Sequence, residues 1–334
     1  MTAISPNVLI TCGGKWVGIV LQLRQAMQSH PGFRDHKIIV ASSDALTPAG
    51  CFADYAEQVP LIKAPDYIDR LFEVCCRHRI GVVIPLIDLD LERLAPHIER
   101  FAQVGVNILC PTPKMVELCL NKLLFAQFCH DQGIPHPKCY SLTELHSVTF
   151  PVFYKRQRGF GSIGSGLCSS LEEAQAISVK TPDTIFQELI QAPEFSVDAY
   201  LSRRGECIIC VPRSRDKVVA GESYKTQTVN APQVMKLARQ MIQALASAGL
   251  RGALNVQIFG TNPPCVLEVN TRLGSACVLS NMAVKGRLFE ALLAEAGNEV
   301  AEGNPDDYLM GLSLTRFLGD VFHCGTEVVA ILPH

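Results

Sequence analysis

The first third of the chain alternates between short apolar runs and stretches of helical period. Asn7-Val8-Leu9-Ile10-Thr11 is a compact apolar run that closes on Gly13-Gly14. Val17, Val20, Leu21 and Arg24 to Met27 then follow a helical spacing. Lys37 to Ala41, Gly81 to Pro85 and Asn107 to Cys110 read as further strands. Between them, Tyr67 to His78 sets Ile68, Leu71, Phe72 and Cys75 on one side of a helix, and Leu89 to Phe101 reads as another helix. Apolar strands separated by helices predict a parallel sheet covered on both faces.

The pattern changes after residue 111. Thr112-Pro113 opens a helix with a proline in its first turn, and Asn121 caps a second one, Lys122 to Gln132, stopped by Gly133. Ile134 to Pro137 is a linker. Beyond it, strands are predicted over Val152–Arg156, Thr184–Ile190, Phe195–Leu201 and Glu206–Pro212, with a short helix from Glu172 to Val179. Pro232 to Ala248 is a long amphipathic helix facing inward through Val234, Leu237, Met241, Leu245 and Ala248, with Gly249 as its stop. The chain shows no internal repeat and no low-complexity segment.

Composition narrows the function. A length of 334 residues suits about two domains, and 48% apolar with 19% charged residues describes a globular chain. The net charge of −2 gives no electrostatic footprint for nucleic acid or an anionic membrane. Met1 to Asn7 has no secretory pattern, and no run reaches the ~18 apolar residues of a membrane helix, so a cytoplasmic protein is expected. The 14 cysteines are scattered, and Cys207-Ile208-Ile209-Cys210 is a lone CxxC with no partner pair for zinc. They are expected to be free thiols, mostly buried.

Four segments carry candidate chemistry. Beside them, Gly13-Gly14-Lys15-Trp16-Val17-Gly18 lacks the glycine spacing of a dinucleotide fingerprint and the Lys-Ser/Thr pair of a Walker loop, and reads as a tight strand-to-helix turn or as a place for a substrate anion at the helix N-terminus. In the first segment a strand delivers Lys155, and the loop behind it holds Gly159, Gly161, Ser162 and Gly164, suited to folding over phosphates. The second, Phe186-Gln187-Glu188-Leu189-Ile190, offers backbone groups and a carboxylate to a purine, and Glu194 can accept from ribose hydroxyls. The third is the strongest. Asn255-Val256-Gln257-Ile258-Phe259 and Val266-Leu267-Glu268-Val269-Asn270-Thr271-Arg272 alternate polar and apolar positions. Period two places Glu268, Asn270 and Arg272 on one face and Leu267 and Val269 on the other. A symmetric hairpin sets Gln257 opposite Glu268, so three hard oxygen ligands suited to Mg²⁺ converge near an arginine that can fork onto a phosphate. The fourth is basic: Arg213, Arg215 and Lys217, then Lys225, suited to an acidic substrate or a γ-phosphate, or simply a solvated loop.

In this order the segments resemble the ATP-grasp superfamily, in the pattern of carbamoyl-phosphate-synthase-like carboxylate–amine ligases. The resemblance spans nearly the whole chain and includes the run Ile84 to Glu92. It implies an α/β and α+β architecture: a Rossmann-like pre-ATP-grasp domain over residues 1–111, an N-terminal ATP-grasp subdomain with a glycine-rich lid over 112–190, and a C-terminal subdomain with the Mg·ATP site over 191–334. It implies that Lys122 and Lys155 contact ATP phosphates or the adenine N7 edge, and that Gly161, Ser162 and Gly164 lie over the β- and γ-phosphates. Gln187, Glu188 and the backbone of Leu189 and Ile190 would receive adenine, and Glu194 the ribose. Gln257, Glu268 and Asn270 would hold Mg²⁺, with Mn²⁺ as the alternative ion. Arg272 would meet the γ-phosphate or an acyl phosphate, with Lys155 and Arg213 completing the catalytic set.

The implied activity is ATP-dependent ligation of a small-molecule carboxylate to an amine or thiol through an acyl phosphate, releasing ADP and phosphate. Three departures from the family pattern stand out: Asn121 where aspartate is usual, Arg156 where proline is common, and a chain too short for a carbamoyl-phosphate synthase large subunit. The rival readings are a carboxyphosphate-forming or other phosphoryl-transfer member, a non-catalytic ATP binder, and a dehydrogenase on the N-terminal sheet. A homodimer is a family-level expectation.

Overall fold

The computed structural model describes residues 7–159, 164–324 and 327–333. Five parallel strands form the first sheet, in the order Tyr55–Gln58, Ile38–Ser42, Asn7–Thr11, Ile80–Pro85, Asn107–Ile108. Its central strands are apolar throughout because both faces are covered. Val8, Ile10, Ile38, Val40, Val82 and Ile84 feed one core, while Leu9, Ile39, Ala41 and Val83 feed the other. The second core is closed by helices Tyr67–Arg77 and Ile98–Ala102. The first is closed by helix Val17–Ser29 and by material from far along the chain: Leu288, Phe289, Leu292 and Leu293 of helix Arg287–Ala296, together with Tyr200, Ile208 and Ile209.

Two antiparallel sheets follow. One runs Cys139–Tyr140, Thr184–Gln187, Val152–Arg156, Gly166–Cys168, with helix Leu171–Lys180 connecting the last-named strand to Thr184–Gln187. The other runs Cys207–Ser214, Glu194–Leu201, Gly252–Phe259, Cys265–Asn270. Beneath it lie helix Pro232–Ser247, contributing Val234, Leu237, Ala238, Met241, Ile242 and Leu245, and helices Pro113–Leu120 and Lys122–Asp131. Asn121 caps the latter as expected, its side chain accepting from the backbone N–H of Leu123 and Leu124. A small sheet (Lys217–Val219, Glu222–Gln227, Ser313–Thr315) and a hairpin (Gly319–Cys324, Glu327–Pro333) complete the chain. No helix among the described residues is long and apolar enough to cross a membrane.

Two elements depart from the expected pattern. The helix expected over Leu89–Phe101 is broken into Asp88–Leu94, a 3₁₀ turn Ala95–His97 and Ile98–Ala102, because Pro96 removes a donor from the ladder. The strand expected to reach Ile190 stops at Gln187, leaving residues 188–193 outside any ladder.

At the carboxyl edge of the first sheet, Asp90 is fully buried. It accepts from the hydroxyls of Thr11 and of Tyr67, the latter at 2.7 Å. Burial, only partly offset by these donors, raises its pKa to about 6. The unfolded carboxyl titrates near 4, so the folded chain holds this proton more tightly. The carboxyl therefore favours folding below about pH 4, and that contribution is lost as pH rises from about 4 to about 6. Urea denaturation between pH 4 and 7 is expected to show this fall in the parent chain and a flatter profile in Asp90→Asn. Parallel profiles would refute it.

Candidate active site

The sheet Cys207–Ser214, Glu194–Leu201, Gly252–Phe259, Cys265–Asn270 has one polar half-face, assembled rung by rung. Ser196 pairs with Arg213 on one side and Gln257 on the other, and Gln257 pairs with Glu268. One rung along, Asp198 pairs with Asn255, and Asn255 with Asn270. The expected opposition of Gln257 and Glu268 is therefore present. The expected common face for Leu267 and Val269 is not. A bulge leaves Leu267 without a ladder partner, so Val266 opposite Ile258 and Val269 opposite Val256 fill the core together.

Asp198 is the anchor of this face. It is 2% exposed, and its Oδ1 accepts from Asn255 Nδ2 at 2.5 Å. Its Oδ2 accepts from Arg213 Nε at 2.9 Å and from Ser280 Oγ at 2.6 Å. Arg213 is also 2% exposed, and its Nη1 donates to Ser223 Oγ at 3.0 Å. The expectation that Arg213 meets a substrate or γ-phosphate is thus corrected: its guanidinium is buried and held by Asp198 and Ser223, beneath the face rather than on it.

Two charged groups at this face have no direct partner among the described residues. Lys155, on strand Val152–Arg156 of the neighbouring sheet, is 8% exposed, and among the described residues its ammonium has no hydrogen-bond or ion-pair partner. Burial lowers its pKa, the Glu268 carboxylate opposes that shift, and the Lys122 ammonium adds to it. Lys122 is lowered by burial and raised by Glu268 and Asp88, and its Nζ donates to the Gly159 carbonyl at 2.9 Å. Glu268 likewise has no direct partner among the described residues, although Lys122, Lys155 and Arg215 all act on it through space. Arg215 Nε forms an ion pair with Glu194 Oε2 at 2.9 Å. His136, in the linker between the sheets, is held neutral: burial and then Lys155 lower its pKa to about 4.

Arg272 reaches across to the first sheet. Its Nε and Nη2 fork onto Asp88 Oδ1 and Oδ2 at 2.9 and 2.6 Å, and Nη2 also donates to Asn270 Oδ1 at 3.3 Å. Asp88 begins the helix after strand Ile80–Pro85, so the N-terminal sheet supplies an anion where a phosphate was expected.

The remaining expected residues divide. The Gln187 side chain is 2% exposed and turns into the linker, donating to the Pro137 carbonyl at 3.2 Å, so it does not point at a purine. The Glu188 side chain is exposed, and the backbone groups of Leu189 and Ile190 have no hydrogen-bond partner among the described residues. Gly161 and Ser162 lie outside the described residues. Gly164 has φ +74° and faces the Arg156 side chain. Sequence reasoning missed the roles of Asp198 and Asp88. Asp198 shares the two-residue phase of Glu194 and Ser196 on its strand, which was the available signal; Asp88 lies in the run Ile84 to Glu92 that carried part of the resemblance, with nothing local to single it out.

No group of three His, Cys, Asp or Glu side chains among the described residues could hold a metal by itself. The donors present are instead one carboxylate, Glu268, with the amides of Gln257 and Asn270, and beside them Ser196 Oγ is buried without a partner. This set fits Mg²⁺, which is commonly held by one or two carboxylates plus substrate phosphates and water.

Comparison with known proteins agrees with this geometry. Residues 8–109 match the model of the PylC-like N-terminal domain and residues 119–276 that of the ATP-grasp domain. The chain is 24% identical over 329 residues to a phosphoribosylamine–glycine ligase of Chlorobaculum tepidum, covering 80% of this chain and 76% of that one. It is 22% identical over 252 residues to the mitochondrial arginine-specific carbamoyl phosphate synthase large chain of Neurospora crassa, covering 69% of this chain but 20% of that one. Among solved structures, the biotin carboxylase domain dimer of the Hydrogenobacter thermophilus 2-oxoglutarate carboxylase, in complex with MgADP, ADP and bicarbonate, matches with a TM-score of 0.74 at 14% identity. That match covers 91% of this chain and 72% of that one.

Removing one member of a buried ion pair strands the other. Asp198→Ala is therefore expected to lose about 3–5 kcal/mol of unfolding free energy, because Arg213 is left charged and buried. Urea denaturation measures this, and a loss below about 1 kcal/mol would contradict the anchoring role.

Proposed function

Because this chain belongs to the ATP-grasp superfamily, with an ATP-grasp domain behind a PylC-like N-terminal domain, we propose that it joins a small-molecule carboxylate to an amine. The reaction uses ATP, passes through an acyl phosphate and releases ADP and phosphate. One observation carries this reading: the buried, unpartnered Lys155 ammonium lies in the field of the unpartnered Glu268 carboxylate, on the rung completed by Gln257. A cation and an anion left unsatisfied side by side suit a ligand that brings both charges, such as a nucleotide triphosphate with its metal.

In this reading Lys155 and Lys122 meet the ATP phosphates, and the free backbone at Leu189 and Ile190 receives the adenine edge. Glu194, oriented by Arg215, accepts from the ribose. Gly164 would lie near the phosphates, the place also expected for Gly161 and Ser162, which lie outside the described residues. Mg²⁺ would be held by Gln257, Glu268 and Asn270, supplying charge neutralisation for the transferring phosphoryl group. Arg272 exchanges Asp88 for the γ-phosphoryl oxygens as the substrate carboxylate attacks, and it then steadies the acyl phosphate while the amine displaces phosphate. Arg213 acts one layer down, holding Asp198 and through it Asn255. No protein nucleophile is required.

The test is product analysis with Mg·ATP, a panel of amino acids and other carboxylic acids, and hydroxylamine as a general amine trap. ADP together with a hydroxamate for one acid is expected. Glu268→Ala should lower both by about 100-fold or more while leaving the chain folded, and chelation of Mg²⁺ should abolish both. ADP without hydroxamate for any acid would move the reading to phosphoryl transfer onto another acceptor. Near-parental turnover in a folded Glu268→Ala chain would overturn the metal assignment.

A further inference from the structure

The CxxC at Cys207–Cys210 lies on the edge strand of the ATP-grasp sheet, away from the nucleotide face. In an unbroken strand, positions three apart point to opposite faces. Here the ladder slips: Tyr200 pairs with Ile209, but Leu201 pairs with Cys207, so Ile208 is an inserted residue. The bulge restores the phase. Ile208 and Ile209 both enter the core shared with the N-terminal sheet, while Cys207 and Cys210 both turn to the opposite core under helix Pro232–Ser247. The bulge is closely backed, since a Cβ at Gly303 would lie 2.5 Å from the Ile208 carbonyl oxygen.

The slip also shortens the distance between the cysteines. Cys210 and Cys207 stand opposite Ala199 and Leu201, which are two residues apart on a regular strand. At roughly 3.3 Å per residue this sets the two Cα atoms about 6.6 Å apart, inside the range of roughly 4.4–6.8 Å that a disulfide spans. We propose that Cys207 and Cys210 form a redox-active dithiol that closes to an intrachain disulfide by exchange with a low-molecular-weight disulfide.

The surroundings set the order of events. The Cys207 thiol donates to the Ile209 carbonyl at 3.3 Å, the two thiols act on one another, and the Arg239 guanidinium on helix Pro232–Ser247 adds its positive charge. Together they hold Cys207 below the usual thiol range against its burial, while Cys210, beside it and buried, is pushed well above that range. Cys207 is half-buried, whereas Cys210 is 1% exposed. Cys207 thus attacks first: its thiolate forms a bond to one sulfur of the small disulfide, and the other leaves as a thiolate. Cys210 then gives up its proton, and its sulfur displaces the remaining small thiol from Cys207. The protein loses two hydrogens, and one small disulfide becomes two thiols.

The test treats the full chain with oxidised glutathione, then denatures, alkylates, digests and maps it. Expected is the loss of both alkylation tags at Cys207 and Cys210, with one linked peptide two hydrogens lighter, while buried Cys119 and Cys277 keep theirs. In Cys210→Ser, Cys207 should accumulate as the mixed disulfide at least 10-fold more than Cys210 does in Cys207→Ser. The map on the unaltered chain decides the question even where a variant fails to fold. Tags retained at both positions, or a persistent mixed disulfide at Cys207 in the unaltered chain, would overturn the proposal.

Discussion

A single buried carboxylate organises the polar face of the candidate site. Asp198 receives donors from the strand on either side of it, Arg213 and Asn255, and from Ser280 on helix Cys277–Ala283. At 2% exposure, any one of these groups alone would carry a heavy desolvation cost. Paired, they fix the register of three strands on one side and dock a helix on the other. Of the candidate ligands, Asn270 lies on the same rung and Gln257 and Glu268 one rung along, so their spacing is inherited from this anchor. The backbone accommodates it as well: a Cβ on Gly274 would lie 2.8 Å from Asp198 Oδ1, so the turn after Arg272 passes where only glycine fits.

The face is completed by groups from separate elements. Lys155 comes from the second sheet, Lys122 from the start of a capped helix, and Asp88 from the start of the helix that follows strand Ile80–Pro85 of the first sheet. The bidentate contact between Asp88 and Arg272 makes the N-terminal sheet part of the site rather than an appendage. Its carboxylate matches the fork geometry a phosphate would use, so the same guanidinium can be held by either.

Much of this was legible in the sequence for a simple reason. Period two is a strong signal, and in Asn255–Phe259 and Val266–Arg272 it coincided with unusual polar residues, so the rung Gln257–Glu268 could be written down in advance. What failed did so locally. A bulge is one extra residue and leaves the composition unchanged, so Leu267 was assigned to the wrong face. Arg213 read as one of a basic cluster, because nothing in the sequence distinguishes a guanidinium buried on Asp198 from one in solvent. Asp88 meets Arg272 across the sheets, a contact between distant positions that no local pattern encodes. Strand Thr184–Gln187 was extended too far because Leu189 and Ile190 are apolar, although their backbone leaves the ladder. The glycine loop was singled out by composition, yet Gly161 and Ser162 lie outside the described residues.

The shared core has a consequence for how the chain is made. The first sheet is complete in sequence at Ile108, but one of its faces is closed by Leu288, Phe289, Leu292 and Leu293. During synthesis at about 5–20 residues per second, that face waits on the order of tens of seconds for its cover. A nascent chain therefore carries an open apolar surface through most of its emergence from the ribosome. That face is sealed in full only once helix Arg287–Ala296 is released, and truncation before that helix leaves it covered in part, by helix Val17–Ser29 and by Tyr200, Ile208 and Ile209.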